Sequence, residues 1–88
     1  MAASGPRVVV EVRVELKPGI VDAEADNVQK SLGLLAIGPP TQVRTAKVYT
    51  LEFDGVEPAR AEALAREAVD RLLANPVIHH VSVSVVPR

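Results

Sequence analysis

The side chains that most often perform chemistry in proteins are sparse in this sequence, and their spacing assembles no site. The only histidines, His79 and His80, are adjacent in a segment that alternates like a β-strand. Successive strand residues point to opposite faces of a sheet, so the two rings cannot ligate one metal ion together. The 88-residue chain has no cysteine, which excludes disulfides and thiolate sites. Because no Ser-His-Asp, Cys-His or paired-carboxylate set can be assembled, we expect no catalytic, cofactor or metal site in this chain.

Three short segments carry residues that could instead contact a partner protein. A basic turn follows the first strand pattern, two cations stand near the middle of the chain, and an Asn-Pro pair ends the last helical pattern. The simplest interpretations are an ordinary turn, solvated charges and a helix stop. The functional interpretation is a set of contact points, since arginine is enriched at protein interfaces. The candidate interface residues are Lys17, Pro18, Gly19, Arg44, Lys47, Asn75 and Pro76.

Composition argues against several classes of partner. Ten basic residues stand against 11 acidic ones, which is not the charge pattern of a nucleic-acid-binding surface. One Phe and one Tyr are too few for a base-stacking platform. The chain has no apolar run of about 18 residues and no signal-peptide pattern. We therefore expect a soluble, cytoplasmic protein that binds neither nucleic acid nor membrane.

Period-2 alternation marks the strands that must position the candidate residues. Val8–Leu16 shows strong period-2 alternation, interrupted only by Val9, which predicts a strand with one buried and one solvent-exposed face. Residues 41–54 give a second strand signal, which we expect to contain two strands with a turn near residues 45–47. One long bent strand is the alternative. The last strand signal covers Val77–Val86.

Two segments have the period and the end signals of helices. The first begins after Asp22, a good N-cap, carries an apolar stripe of Val28, Leu32 and Leu35, and ends at Gly38-Pro39-Pro40. The second has a proline near its start and ends at the Asn-Pro pair. Its buried side is predicted from apolar spacing as Leu64, Ala68 and Leu72 with Ala65, Val69 and Leu73.

The predicted element order is β-α-β-β-α-β, which indicates an α+β fold. We expect a two-layer sandwich, a small and mostly antiparallel sheet with two helices on one face. Residues 1–88 form a single domain, in which Met1–Arg7 is predicted to be flexible. So small a chain has a thin core, which favours association into a homodimer or higher oligomer. A group of apolar residues on the wet sheet face could serve such an interface or be ordinary surface: Val9, Val48, Ile78 and Val86.

Three motifs with their spacing resemble one known family. They are Leu16-Lys17-Pro18-Gly19-Ile20-Val21-Asp22, Val43-Arg44-Thr45-Ala46-Lys47 and Leu72-Leu73-Ala74-Asn75-Pro76-Val77-Ile78. Together they resemble PurS, the small subunit of bacterial phosphoribosylformylglycinamidine synthase, over nearly the whole chain from Val8 on. The chain departs from that pattern at Ala23 and Asp26, where members often carry Pro and Gly, and at Ala46, where they often carry Gly.

The resemblance implies a non-catalytic subunit of a glutamine-dependent, ATP-consuming ligase complex in de novo purine biosynthesis. The complex converts formylglycinamide ribonucleotide to the amidine. In that family a PurL-like synthetase subunit binds ATP and the ribonucleotide, and a PurQ-like glutaminase subunit releases ammonia. PurS-like chains dimerise, bridge these two subunits and assist ammonia transfer. ATP, magnesium and glutamine are then used by the complex, and this chain itself holds no cofactor.

Two other classes of function share this element order. A regulatory module of the amino-acid-binding type would bind a small metabolite at a dimer interface. A small hydrolase such as an acylphosphatase needs an Arg in the loop after the first strand, and this loop offers Lys17 instead.

Overall fold

The computed structural model describes residues 7–38 and 40–86, which form the elements β-α-β-α-β. Their bounds are Arg7–Leu16 for β1, Ala23–Leu34 for α1, Ala46–Asp54 for β2, Pro58–Ala68 for α2 and His79–Val85 for β3, with a π-helical turn at Val69–Leu73 after α2. The strand order is β2-β1-β3, antiparallel on both sides. The α+β class and the antiparallel sheet are thus confirmed. Of the terminal segment predicted to be flexible, residues 1–6 lie outside the described residues, and Arg7 begins β1.

The core is built on one face of β1, as its alternation predicts. Each inward-facing valine is at most 6% exposed, because β1 has a strand on either side and α2 packs across this face. Small alanines on α2 allow the helix to approach the sheet closely. The buried cluster consists of Val8, Val10, Val12, Val14, Ala61 and Ala65.

The second strand expected within residues 41–54 does not form. Residues 41–45 lie outside the sheet, and only Ala46–Asp54 pairs with β1. The segment before β2 is tied instead to α1: the Gln29 side-chain amide donates to the carbonyls of Pro40 and Thr41, each at 3.3 Å. These contacts satisfy backbone groups that a further strand would have paired, so the three described strands replace the predicted four.

The first helix is not placed where the two-layer prediction put it. Among the described residues α2 packs on β1 and β3, whereas α1 makes no extensive contact with the sheet. The Cα radius of gyration is 17.1 Å, against about 12 Å for a compact 88-residue domain. The longest dimension, 52 Å, matches a ten-residue strand of about 34 Å followed by a 12-residue helix of about 18 Å. α1 therefore extends beyond one end of the sheet as an arm.

The π-helical turn corrects one predicted core position. A regular α-helix would place Leu72 in line with Ala65 and Ala68 on the buried side. The extra residue in the π turn rotates the chain, so that Leu73 packs against the core and Leu72 is 82% exposed. The sequence gives no sign of this shift, because the hydrophobic period of the helix continues unbroken through the turn.

The outer face of the sheet is charged rather than apolar. Val48 pairs with Arg13 and Val9 with Glu52 across the ladder. On its other side Val9 lies beside Val86, whose amide donates to the Val9 carbonyl at 2.8 Å. Arg7 bridges the carboxylates of Asp54 at 3.0 Å and Glu52 at 3.2 Å. Of the apolar residues predicted on this face, Val9 and Val86 are therefore neighbours, whereas Val48 lies apart from them beside Arg13. No helix among residues 7–38 and 40–86 is long and apolar enough to cross a membrane.

The end of α1 generates a stability prediction. Ala36 has a φ of 58°, the left-handed conformation that glycine adopts most easily, and the Ile37 amide donates to the Leu32 carbonyl at 2.9 Å to close the helix. We expect Ala36→Gly to stabilise this turn by about 0.5–1 kcal/mol. Amide exchange at Ile37 should slow by about two- to fivefold, as measured by hydrogen exchange with NMR detection. Unchanged or faster exchange would contradict this account of the turn.

Candidate partner interface

Antiparallel pairing brings the three motif segments together at one end of the sheet. β1 ends where β2 and β3 begin, so the segments after β1 and before the other two strands are neighbours. The Lys17 amide donates to the Ile78 carbonyl at 2.9 Å, which joins the first and third segments directly. We call residues 17–22, 43–47 and 72–78 the motif end. The candidate interface residues of the three segments therefore lie at the same end of the sheet.

The first segment is a tight turn. The Ile20 amide donates to the Lys17 carbonyl at 3.1 Å, and Gly19 has a φ of +89°, which an L side chain adopts only with strain. Lys17 and Pro18 are exposed on this turn. Their backbone is therefore fixed while their side chains remain available for contact.

Asp22 connects the first and second segments. One carboxylate oxygen accepts from the Ala25 amide at 3.0 Å and caps α1, and the other accepts from the Thr45 hydroxyl at 2.6 Å and the Thr45 amide at 3.1 Å. The Thr45 hydroxyl bond, followed by the Ala25 amide bond, lowers the pKa of Asp22 below its ordinary value of 3.8. The charged carboxylate thus holds the start of α1 against the chain that leads into β2.

The structure separates the two candidate cations of the middle segment. Arg44 lines a cleft of about 420 Å³ together with Lys17, Pro18 and Gly19. Lys47 lies on the inner face of the sheet, with its ammonium nitrogen 5.9 Å from the centroid of the Tyr49 ring. This distance is at the outer limit of a cation–π contact. Arg44 and Lys47 are therefore available to different neighbours and do not form one cationic cluster.

Asn75 shapes the turn that leads into β3. Its side-chain oxygen accepts from the Val77 amide at 2.9 Å, and its own amide donates to Nδ1 of His79 at 2.8 Å. Its carbonyl accepts from the His79 amide at 2.8 Å. Asn75 therefore acts on the shape of the loop, and Pro76 beside it is exposed. This turn also moves the start of the last strand from the predicted Val77 to His79.

Exposed apolar side chains at the motif end were missing from the sequence-based candidates. Val21 is 77%, Leu72 82% and Val77 75% exposed. Their signal was present in the sequence, since all three lie within the matched motifs. Exposed aliphatic side chains beside fixed turns are typical of protein contacts.

A second cleft lies between the end of α2 and β3. Its volume is about 440 Å³, and its lining includes Lys17, Arg66, Asp70 and His80. Within the described ranges, no group of three His, Cys, Asp or Glu side chains is placed to hold a metal ion. His79 and His80 lie in β3 on opposite faces of the sheet, as their adjacency predicts.

Residues 9–87 match the sequence profile of a family named PurS and described as phosphoribosylformylglycinamidine (FGAM) synthase. The phosphoribosylformylglycinamidine synthase subunit PurS of Archaeoglobus fulgidus is 35% identical over 75 residues, which is 85% of this chain and 94% of that protein. The crystal structure of PurS from Methanocaldococcus jannaschii, one of the subunits of formylglycinamide ribonucleotide amidotransferase, has a TM-score of 0.80 at 26% identity and covers 90% of this chain and 95% of its own. A chain of PurLQS from Thermotoga maritima shares the fold, with a TM-score of 0.83 at 21% identity over 92% of this chain and 99% of that one.

The carboxylate of Asp22 generates a pH prediction. Because its pKa is lowered in the folded state, its contribution to stability is complete above its unfolded pKa and is lost as pH falls through the folded value. Asp22→Asn should therefore lower the unfolding temperature at pH 7, and the difference from the unmodified chain should shrink as pH falls below about 4. Thermal unfolding followed by circular dichroism between pH 7 and pH 2 measures this.

The matched control is Asp26→Asn, a carboxylate in the same first turn of α1. It should show a smaller and flatter difference, because Asp22 is the residue bonded to Thr45. If the two substitutions have equal effects, the stabilisation comes from the charge at the start of the helix. That result would contradict a specific contribution of the Asp22–Thr45 bond.

Proposed function

The chain belongs to the PurS family, and from that premise we propose that it is a non-catalytic subunit of phosphoribosylformylglycinamidine synthase in purine biosynthesis. In this role it bridges a synthetase subunit and a glutaminase subunit and assists ammonia transfer between them. The observation that carries the proposal is the motif end, where three segments that are distant in sequence form one surface. The PurLQS complex of Thermotoga maritima supports it, since a chain of this fold occurs there.

A bridging subunit needs rigid loops with side chains free to contact other proteins. The motif end meets this requirement: backbone bonds fix its turns, while Lys17, Arg44 and Pro76 remain exposed. Val21, Leu72 and Val77 add apolar area beside these polar groups. Interfaces combine an apolar centre with a polar rim in the same way. We therefore assign the candidate interface residues to contacts with the two other subunits.

The proposal includes a homodimer. The chain alone is elongated, with a radius of gyration of 17.1 Å, and it exposes several large aliphatic side chains along α1. Its fully buried core is small and consists of valines and alanines. Association with a second copy would bury more apolar surface and stabilise a chain of this size.

In the proposed complex this chain binds no ATP, magnesium or glutamine, which are used by the other subunits. The proposal places the chain in the cytoplasm, where ATP-consuming biosynthetic ligases act. It includes no nucleic-acid and no membrane partner.

The proposed role predicts a donor-specific effect on turnover. Synthetase and glutaminase subunits are assayed with and without this chain, first with glutamine and then with ammonium as the nitrogen donor. The glutamine-driven rate should require the chain, because delivery of ammonia depends on the bridged assembly, whereas the ammonium-driven rate should not. Equal rates with and without the chain for both donors would refute the bridging role.

The proposed contact surface predicts a second result. Val77→Glu places a charge on a side chain that is 75% exposed, so the isolated fold should be kept while assembly weakens by about tenfold or more. The same loss is expected of Asn75→Ala combined with Pro76→Ala, because Asn75 holds the loop in shape. Complex formation is followed by analytical sizing with light scattering.

Val48→Glu is the matched control, since Val48 is also an exposed valine but lies on the outer face of the sheet. It should assemble like the unmodified chain. Assembly that is unaffected by both motif-end variants would remove the motif end as the contact surface.

A further inference from the structure

The two ends of the β1–β3 ladder show which backbone groups of β3 face away from the sheet. The Lys17 amide donates to the Ile78 carbonyl at 2.9 Å, and the Val86 amide donates to the Val9 carbonyl at 2.8 Å. Opposite residues in an antiparallel ladder alternate between bonded and non-bonded pairs, so the even-numbered residues of β3 bond to β1. The odd-numbered residues therefore direct their amides and carbonyls away from β1.

These outward groups form an open edge. β3 is the last strand of the sheet, and no backbone hydrogen bond outside the ladders reaches Val81, Val83 or Val85 within residues 7–38 and 40–86. The His79 amide, in contrast, is bonded to the Asn75 carbonyl at 2.8 Å. We call the outward amides and carbonyls of Val81, Val83 and Val85 the β3 edge. Successive residues of this edge are about 7 Å apart, so an extended segment of about five residues can pair with all of them.

The composition of β3 leaves this edge unprotected. Proteins commonly guard an exposed edge strand with charged side chains or proline, which prevent other strands from pairing with it. β2, at the other edge of the sheet, carries Lys47, Glu52 and Asp54. The sequence of β3, His-His-Val-Ser-Val-Ser-Val, contains no Asp, Glu, Lys, Arg or Pro. β3 is therefore the edge that accepts a further strand more readily.

A groove runs beside the β3 edge and can receive side chains from such a strand. It is the cleft of about 440 Å³ between the end of α2 and β3. Val81 and Val83 line it together with Val69 and Ala74, which gives it an apolar floor. When an extended peptide adds to a sheet edge, its backbone supplies affinity and its alternate side chains supply specificity through such grooves.

The charges of the groove favour an acidic side chain in the added strand. Its lining has two cations, Lys17 and Arg66, and one carboxylate, Asp70. Arg66 is already paired with Glu62 at 3.0 Å, whereas none of the ion pairs among the described residues involves Lys17. β3 itself has no Asp or Glu, so β3 of a second copy would bring no carboxylate to Lys17. Charge complementarity therefore favours a segment of a different protein.

We propose that the β3 edge binds an extended segment of a partner subunit as a fourth strand, with a carboxylate of that segment beside Lys17. This inference rests on the proposed function and states how one of the two other subunits is recognised. β3 starts at the motif end, and Lys17 belongs to both surfaces. The added strand thus continues the contact surface from the motif end along the side of the sheet.

Hydrogen exchange tests the pairing at single residues. The chain is measured alone and in complex with the synthetase and glutaminase subunits, and exchange is quenched and read by mass spectrometry. In the isolated chain, the amides of Val81, Val83 and Val85 should exchange faster than those of Ser82 and Ser84, which bond to β1. In the complex this alternation should disappear, because the outward amides gain partners and slow by about tenfold or more.

A proline substitution removes one donor of the β3 edge. Val83→Pro deletes an outward amide and leaves the ladder with β1 intact, since proline is tolerated on an edge strand when its nitrogen faces outward. The dissociation constant of the complex should rise by about tenfold or more relative to the control Val83→Ala, which keeps the amide. Circular dichroism of both variants checks the fold. Equal dissociation constants for two folded variants would contradict the pairing.

The carboxylate of the added strand is tested by Lys17→Gln. This change should raise the dissociation constant by about fivefold. Lys30→Gln is the matched control, because Lys30 is an exposed lysine of α1 away from the groove. Equal dissociation constants for the two variants would overturn the assignment of a carboxylate beside Lys17.

The exchange experiment separates this inference from the proposed function. A complex that forms, as seen by light scattering, but keeps the alternation in exchange would overturn strand addition and leave the bridging role standing. Slow exchange of the outward amides in the isolated chain would show that the edge is already paired between copies, and would overturn the assignment to a partner subunit. If no complex forms, the proposed function falls and this inference falls with it.

Discussion

The antiparallel pairing of β1 with a strand on either side is the constraint on which the rest of this structure depends. It encloses the four inward valines of β1 between two neighbours and places α2 across them, which forms the core. The same pairing sets the end of β1 beside the starts of β2 and β3. Core formation and the assembly of the motif end are therefore two results of one arrangement of strands.

The core that follows from this pairing is narrow. Its fully buried members are valines and alanines, which fill little volume and leave the flanks of the sheet partly exposed. A larger helix side chain at Ala61 or Ala65 would hold α2 farther from β1. Close packing at the centre thus leaves apolar surface at the sides, and association with other chains is the way in which such a domain can bury it.

At the motif end, turns fixed by hydrogen bonds carry exposed side chains. Asp22 links α1 to the segment before β2, and Asn75 closes the turn before β3. The side chains of both residues make hydrogen bonds that hold loops in place. A surface of this kind suits a subunit that positions catalytic partners, because preorganised loops lose little entropy when a partner binds.

Local sequence determined the parts of the structure that depend on neighbouring residues. The alternation of β1, the Asp22 cap, the helix of residues 58–68 and the turn at Gly19 all follow from spacing and conformational preference within a few residues. The three motifs were also visible, and with them the family. Partner roles for individual residues such as Arg44 stay predictions.

Tertiary structure alone decided the remaining features. Residues 41–45 have strand-like composition but bond to α1, and Leu72 keeps the helical period but is turned outward by the π turn. The projection of α1 past the sheet has no local signal either. These features depend on pairings between residues far apart in the sequence. Hydrophobic period and conformational propensity do not encode such pairings, because each describes only residues within one or two turns of one another.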